Sequence, residues 1–130
     1  MTTKEFDSDD KRAKKAGGAA SVTVYRDGVV ERVFTATEIW LFTMAIRIEG
    51  DGEWVMLYYP SYPGTGDHEW LSGSGVRGAY TDREGKESST NQATVNLKVS
   101  ENPYQQDGSF DLRFSPELRV TGIFRADGGQ

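Results

Sequence analysis

The sequence predicts a small all-β domain: an antiparallel two-sheet sandwich, or alternatively a small closed β-barrel, of about 7–8 strands behind a polar N-terminal arm. Three observations predict it. Short apolar runs alternate with polar residues at the period of two expected of half-buried strands. Gly, Asp, Asn and Pro punctuate those runs, and β-branched and aromatic residues fill them. The chain has 130 residues, 36% hydrophobic and 12% aromatic, enough for one core without metals or crosslinks. We assign residues 1–19 to the arm, 20–127 to a single β domain and 128–130 to a C-terminal tail.

The arm holds one large apolar side chain, Phe6, among nine charged ones: Lys4, Glu5, Asp7, Asp9, Asp10, Lys11, Arg12, Lys14 and Lys15. Such a segment buries too little to offset its ordering entropy. Its charges are nonetheless placed as a short helix would want them. Ser8 suits an N-cap, Asp9 and Asp10 the first turn, Lys14 and Lys15 the last, and Gly17 the left-handed C-terminal position. The arm is read either as a solvated tail with a fraying helix or as a segment that orders on a partner.

Val22-Thr23-Val24-Tyr25-Arg26 and Val29-Val30-Glu31-Arg32-Val33-Phe34 flank Asp27-Gly28, a type I′ turn signal. With that loop, Val22 faces Val33 and Val24 faces Glu31. The run Ile39 to Ile48 is the most hydrophobic in the chain and reads as one strand, turning at Glu49-Gly50-Asp51-Gly52 into a second. The register pairs Ile46 with Val55, Met44 with Leu57 and Phe42 with Tyr59. On the reverse face Arg47 falls opposite Trp54, a cation–π arrangement.

A weaker strand covers Val76 to Thr81 and ends in Asp82-Arg83-Glu84-Gly85. Ala93, Val95, Leu97 and Val99 point one way, and Thr94, Asn96 and Lys98 the other. Phe110, Leu112 and Phe114 alternate with Asp111 and Arg113, and Leu118, Val120 and Phe124 with Arg119 and Thr121. A loop from Ser115 to Glu117 sets Phe114 beside Leu118 and Phe110 across from Gly122, an aromatic covering a strand glycine.

The lack of cysteine excludes disulfides and Cys-ligated zinc, and no cofactor is expected. A net charge of −5 works against nucleic acid and anionic membrane surfaces as partners. The N-terminus lacks a signal-peptide pattern, and no run approaches the ~20 apolar residues of a membrane span. Cytoplasmic residence is the expectation, with export by a route that uses no cleaved signal left open.

His68 is the sole histidine and lies between Asp67 and Glu69. Neighbours in an extended chain face opposite ways, so the two carboxylates do not both orient the ring, and a solvated loop histidine is the preferred reading. The acidic clusters at residues 49–53 and 107–111 offer oxygens to a hard cation, but Gly and Asp are also what hairpin turns need. The aromatic, Pro/Gly-rich loop 59–72 is the better candidate, because rigid Tyr and Trp on loops serve interfaces. The sequence therefore favours a non-enzymatic protein–protein interaction module with Tyr59, Tyr62, His68 and Trp70 as partner-binding residues, and no catalytic or metal-binding residue. The partner is another protein or a copy of the same chain. The alternatives are a subunit of a repeating assembly, such as a phage or secretion apparatus, held by its arm, and a domain that binds a carbohydrate or small ligand.

Overall fold

The fold was read from a computed structural model, which describes residues 13–128. Among these the chain is strand and turn throughout, with no helix. The strands are β1 (Lys14–Arg26), β2 (Val29–Thr35), β3 (Glu38–Phe42), β4 (Ala45–Gly50), β5 (Glu53–Tyr58) and β6 (Gly66–Trp70). They continue with β7 (Arg77–Thr81), β8 (Glu87–Thr90), β9 (Ala93–Ser100), β10 (Gln105–Arg113) and β11 (Leu118–Asp127). They join one antiparallel sheet in the order β6-β9-β10-β11-β1-β3-β4-β5-β7-β8, with β2 on β1. The sheet curls into a half-barrel around one core, to which strands from both ends contribute. Eleven strands in one connected sheet replace the expected seven or eight in two sheets.

Parity explains one extra strand. A single strand over 39–48 would put Ile39 and Leu41 on one face and Ile46 and Ile48 on the other. A tight turn at Thr43-Met44 instead pairs Phe42 with Ala45, which sets Leu41 opposite Ile46 and Ile39 opposite Ile48. All four then face the core. Met44, expected to pair with Leu57, sits at the turn and is 45% exposed. Its carbonyl accepts from the Tyr59 N–H at 2.8 Å, so Tyr59 does not pair with Phe42. The next turn is Asp51-Gly52 alone, with φ of 57° and 81°. Ile46 therefore meets Leu57 and Ile48 meets Val55, a slip of two that keeps the expected faces. Arg47 lies opposite Met56 but still reaches Trp54 diagonally, 4.4 Å from the ring centroid.

The first strand overturns part of the helix expectation. Lys14, Lys15 and Ala16 pair with β3, and Gly17 onward pairs with β11, so Lys14, Lys15 and Gly17 are extended. Two sets of backbone partners outweigh the weak local preference for helix. Gly18 shows why small residues precede β1's apolar half: its φ is +115°, and a Cβ there would collide with the Arg125 backbone. Ser8, Asp9 and Asp10 lie outside the described residues. β1 thus crosses the expected boundary at residue 19, and β11 runs to Asp127, the expected last residue of the domain.

The Asp27-Gly28 turn forms as expected, with Arg26 opposite Val29. Beyond it Tyr25 meets Val30 but Val24 meets Arg32, so Glu31 is the extra residue of a β-bulge. The expected pairs Val24 with Glu31 and Val22 with Val33 become Val24 with Arg32 and Val22 with Phe34. Phe34 turns into the core at 3% exposure, and Val33 turns out at 56%. The other end of the sheet follows the sequence closely. Ala93, Val95, Leu97 and Val99 are buried, and Phe110 lies across from Gly122. A Cβ at Gly122 would stand 2.6 Å from Phe110 Cζ, and Phe124 covers Gly108 in the same way two pairs along, on the same face.

Candidate functional site

The 59–72 segment leaves β5 and crosses to the opposite end of the sheet, where Gly66–Trp70 forms β6 on β9. The expected loop thus contains an edge strand. His68 and Trp70 lie opposite Leu97 and Val95, whose side chains are buried, while Asp67 and Glu69 alternate outward and are exposed.

Three of the four expected contact residues form one stack. Trp70 lies on Tyr59 at 5.1 Å between centroids, and His68 on Trp70 at 5.1 Å and 18°. Tyr59 is only 4% exposed, and burial pushes its hydroxyl well above the usual tyrosine range. That hydroxyl donates to Gln106 Oε1 at 2.8 Å, and Gln106 Nε2 donates to the Tyr104 hydroxyl at 2.8 Å. Gln106 is itself buried, so the pair satisfies what would otherwise be a costly amide. His68 Nε2 lies 2.6 Å from the Gly64 carbonyl, which only accepts, so the ring carries its proton there. These rings close the end of the core and fix the loop.

Tyr62 stands apart at 59% exposure, and Leu71, just past β6, is 53% exposed. Among the described residues β6 pairs on one side only, with β9, and along the chain Tyr62 precedes it and Leu71 follows it. Leu71 carried no signal of its own in the sequence.

The acidic clusters are engaged by arginines. Arg119 holds Asp111 through Nε at 3.0 Å and Nη2 at 2.8 Å, and Arg125 Nε holds Asp107 at 2.8 Å. Both carboxyls are held below the usual range by those hydrogen bonds. In the 49–53 cluster, Asp51 pairs with Arg83, and Glu53 turns inward and is fully buried. Arg32 grips Glu53 through Nε at 3.0 Å and Nη2 at 2.8 Å, and the Tyr80 hydroxyl donates to it at 2.5 Å. Arg32 Nη2 also donates to Tyr80 at 2.9 Å. The grip of Glu53 raises Arg32 further above its ordinary value, while burial first and Glu53 second keep Tyr80 protonated. This network ties β2 to β5 and β7 across the curl of the sheet. The sequence conceals it, because Arg32 faces inward only through the bulge at Glu31.

Compared with models of known protein families, with curated proteins and with solved structures, the chain matches none.

Proposed function

We propose that the domain is a protein-binding module whose contact surface is the free edge of β6 with Tyr62 and Leu71 at its two ends. The observation that carries this reading is the exposure of those two large apolar side chains on the segments that enter and leave a strand which, among the described residues, has one unpaired edge. An edge strand offers main-chain hydrogen bonds to an added strand, and flanking apolar residues supply the side-chain contacts that set specificity. Tyr59, Trp70 and His68 support the surface from beneath by holding one another, and Gly64, in place. Asp67 and Glu69, exposed on the strand, favour a partner with a basic segment.

The test compares immobilised wild-type protein, a Tyr62→Ser/Leu71→Ser variant and a Val29→Ser control in an extract of the source cells, with sedimentation runs for self-association. The wild type and the control retain the same partner in stoichiometric amount, and the loop variant loses it. Equal recovery by all three refutes the assignment.

A further inference from the structure

We infer that the groove between β8 and the segment joining β10 to β11 is a binding site for an acidic saccharide, a sugar bearing a carboxylate or a sulfate ester. It does not rest on the β6 reading, since no residue that lines it belongs to β6 or to the 59–72 segment.

The groove is open to solvent along one side and offers about 790 Å³, room for a small organic ligand rather than a lone ion. Among the described residues Arg77 and Arg113 line it and no carboxylate does, although the chain as a whole carries a net −5. Both guanidiniums keep donors to offer. Arg77 lies over the Tyr58 ring at 4.6 Å, which fixes its plane without using its N–H groups. Arg113 approaches Asp111 only at 3.9 Å, and the oxygens of Asp111 are already taken by Arg119. Arg113 suits an oxyanion through paired hydrogen bonds, and Arg77, whose guanidinium over Tyr58 also lines the neighbouring groove, adds a second positive charge.

The rest of the lining matches sugar hydroxyls. Ser89, Asn91 and Gln92 present hydroxyl and amide groups from β8 and the turn that follows it. Phe114, half-buried, and Pro116 add apolar surface of the kind that packs on the C–H face of a pyranose ring. The walls are tied together beneath. Thr90 Oγ1 donates to the Arg113 carbonyl at 2.8 Å, and the Arg113 N–H donates to the Gln92 carbonyl at 3.0 Å. The groove is therefore formed before a ligand arrives, which lowers the cost of binding.

The test is an NMR titration of the ¹⁵N-labelled full chain at constant ionic strength. The probes are a uronic-acid disaccharide, a sulfated disaccharide, neutral maltose, inorganic sulfate and a short acidic peptide. At least one acidic disaccharide moves the amides of residues 89–92 and 113–115 saturably, and binds about tenfold or more tighter than maltose or sulfate. Arg77→Gln and Arg113→Gln each weaken it roughly tenfold, the scale of one charge-assisted hydrogen bond. Lys98→Gln on the outer face and the Tyr62→Ser/Leu71→Ser variant leave it unchanged. Saturable binding of neither disaccharide overturns the inference. So do equal affinities for maltose or sulfate, preference for the peptide, and unchanged affinity in folded arginine variants.

Discussion

Replacing Glu53 with glutamine tests the energetic centre of the fold. The side chain is fully buried, and Arg32, itself only 27% exposed, relies on it for charge compensation. Glu53→Gln keeps the shape and an acceptor for Tyr80 but removes the carboxylate charge that the partly buried Arg32 guanidinium faces. Removing one partner of a buried pair costs about 3–5 kcal/mol. For a chain of 130 residues each kcal/mol lowers Tm by about 3–4 °C, so a fall of roughly 10–20 °C is expected. The companion variant is Arg32→Met/Glu53→Leu/Tyr80→Phe, which removes these three polar groups together and leaves Arg83, 3.6 Å from Glu53 in the wild type, to its pair with Asp51. Apolar substitutes of similar size are often neutral or stabilising, so the triple variant is expected within about 2 kcal/mol of wild type. Differential scanning calorimetry and urea melts measure both. A loss below about 1 kcal/mol in Glu53→Gln would refute the claim that Arg32 depends on the buried carboxylate for charge compensation. A triple variant as unstable as the single one would refute the claim that desolvation, rather than the ions themselves, sets the cost.

Two further outcomes follow from packing and protonation. Gly122→Ala drives a Cβ to 2.6 Å from Phe110 Cζ and 2.9 Å from the Ser21 carbonyl, and is expected to cost about 1–3 kcal/mol. Phe110→Leu should reduce that penalty in a double-mutant cycle read by urea denaturation, and strict additivity would show that the ring is not what blocks the site. At alkaline pH the raised value of Tyr59 sets the sign. Its contribution is full below about pH 10, the unfolded value, and is lost as pH rises further, because the unfolded chain releases a proton that the folded one retains. The limiting slope is about 1.4 kcal/mol per pH unit for this one buried hydroxyl, and Tyr59→Phe removes it. A variant with an unchanged pH profile would show that Tyr59 titrates freely.

The sequence made parts of the sheet plain because side-chain parity and turn chemistry agreed there. A loop from Ser115 to Glu117 is preferred because it keeps Phe114 beside Leu118 rather than Arg119, and Phe110 covers Gly122 in that register. Asp27-Gly28 likewise announced its turn. Thr43-Met44 did not, because neither residue has turn chemistry and the uninterrupted apolar run hid a change of face. β6 was hidden by its five residues, Gly66 to Trp70, of which three are charged or ionisable and one is glycine. Edge strands carry such residues because one side of the backbone is unpaired. The candidate site was legible as a segment and not residue by residue. Rings that look available in a Pro/Gly-rich stretch are drawn inward when a partner such as Gln106 satisfies the one polar atom they carry.

The bulge on β2 links these points and yields a sharper test than any single contact. Glu31 is the residue that β1 does not pair, so deleting it leaves Val24 opposite Arg32 and Val22 opposite Phe34. What goes is local twist and an ion pair with Arg26 at 3.4 Å, whose partners are each more than a third exposed. Deleting Val33 also removes one residue from β2 but reverses the parity beyond Arg32. Phe34 would then take the outward position of Val33, forfeiting about 1.5–3 kcal/mol of burial for that ring alone. The deletion lacking Glu31 should therefore melt close to wild type, and the one lacking Val33 well below it. Equal losses would mean that strand length, rather than the facing of side chains, is what β2 contributes to the half-barrel, and the inward placement of Arg32 would lose its explanation.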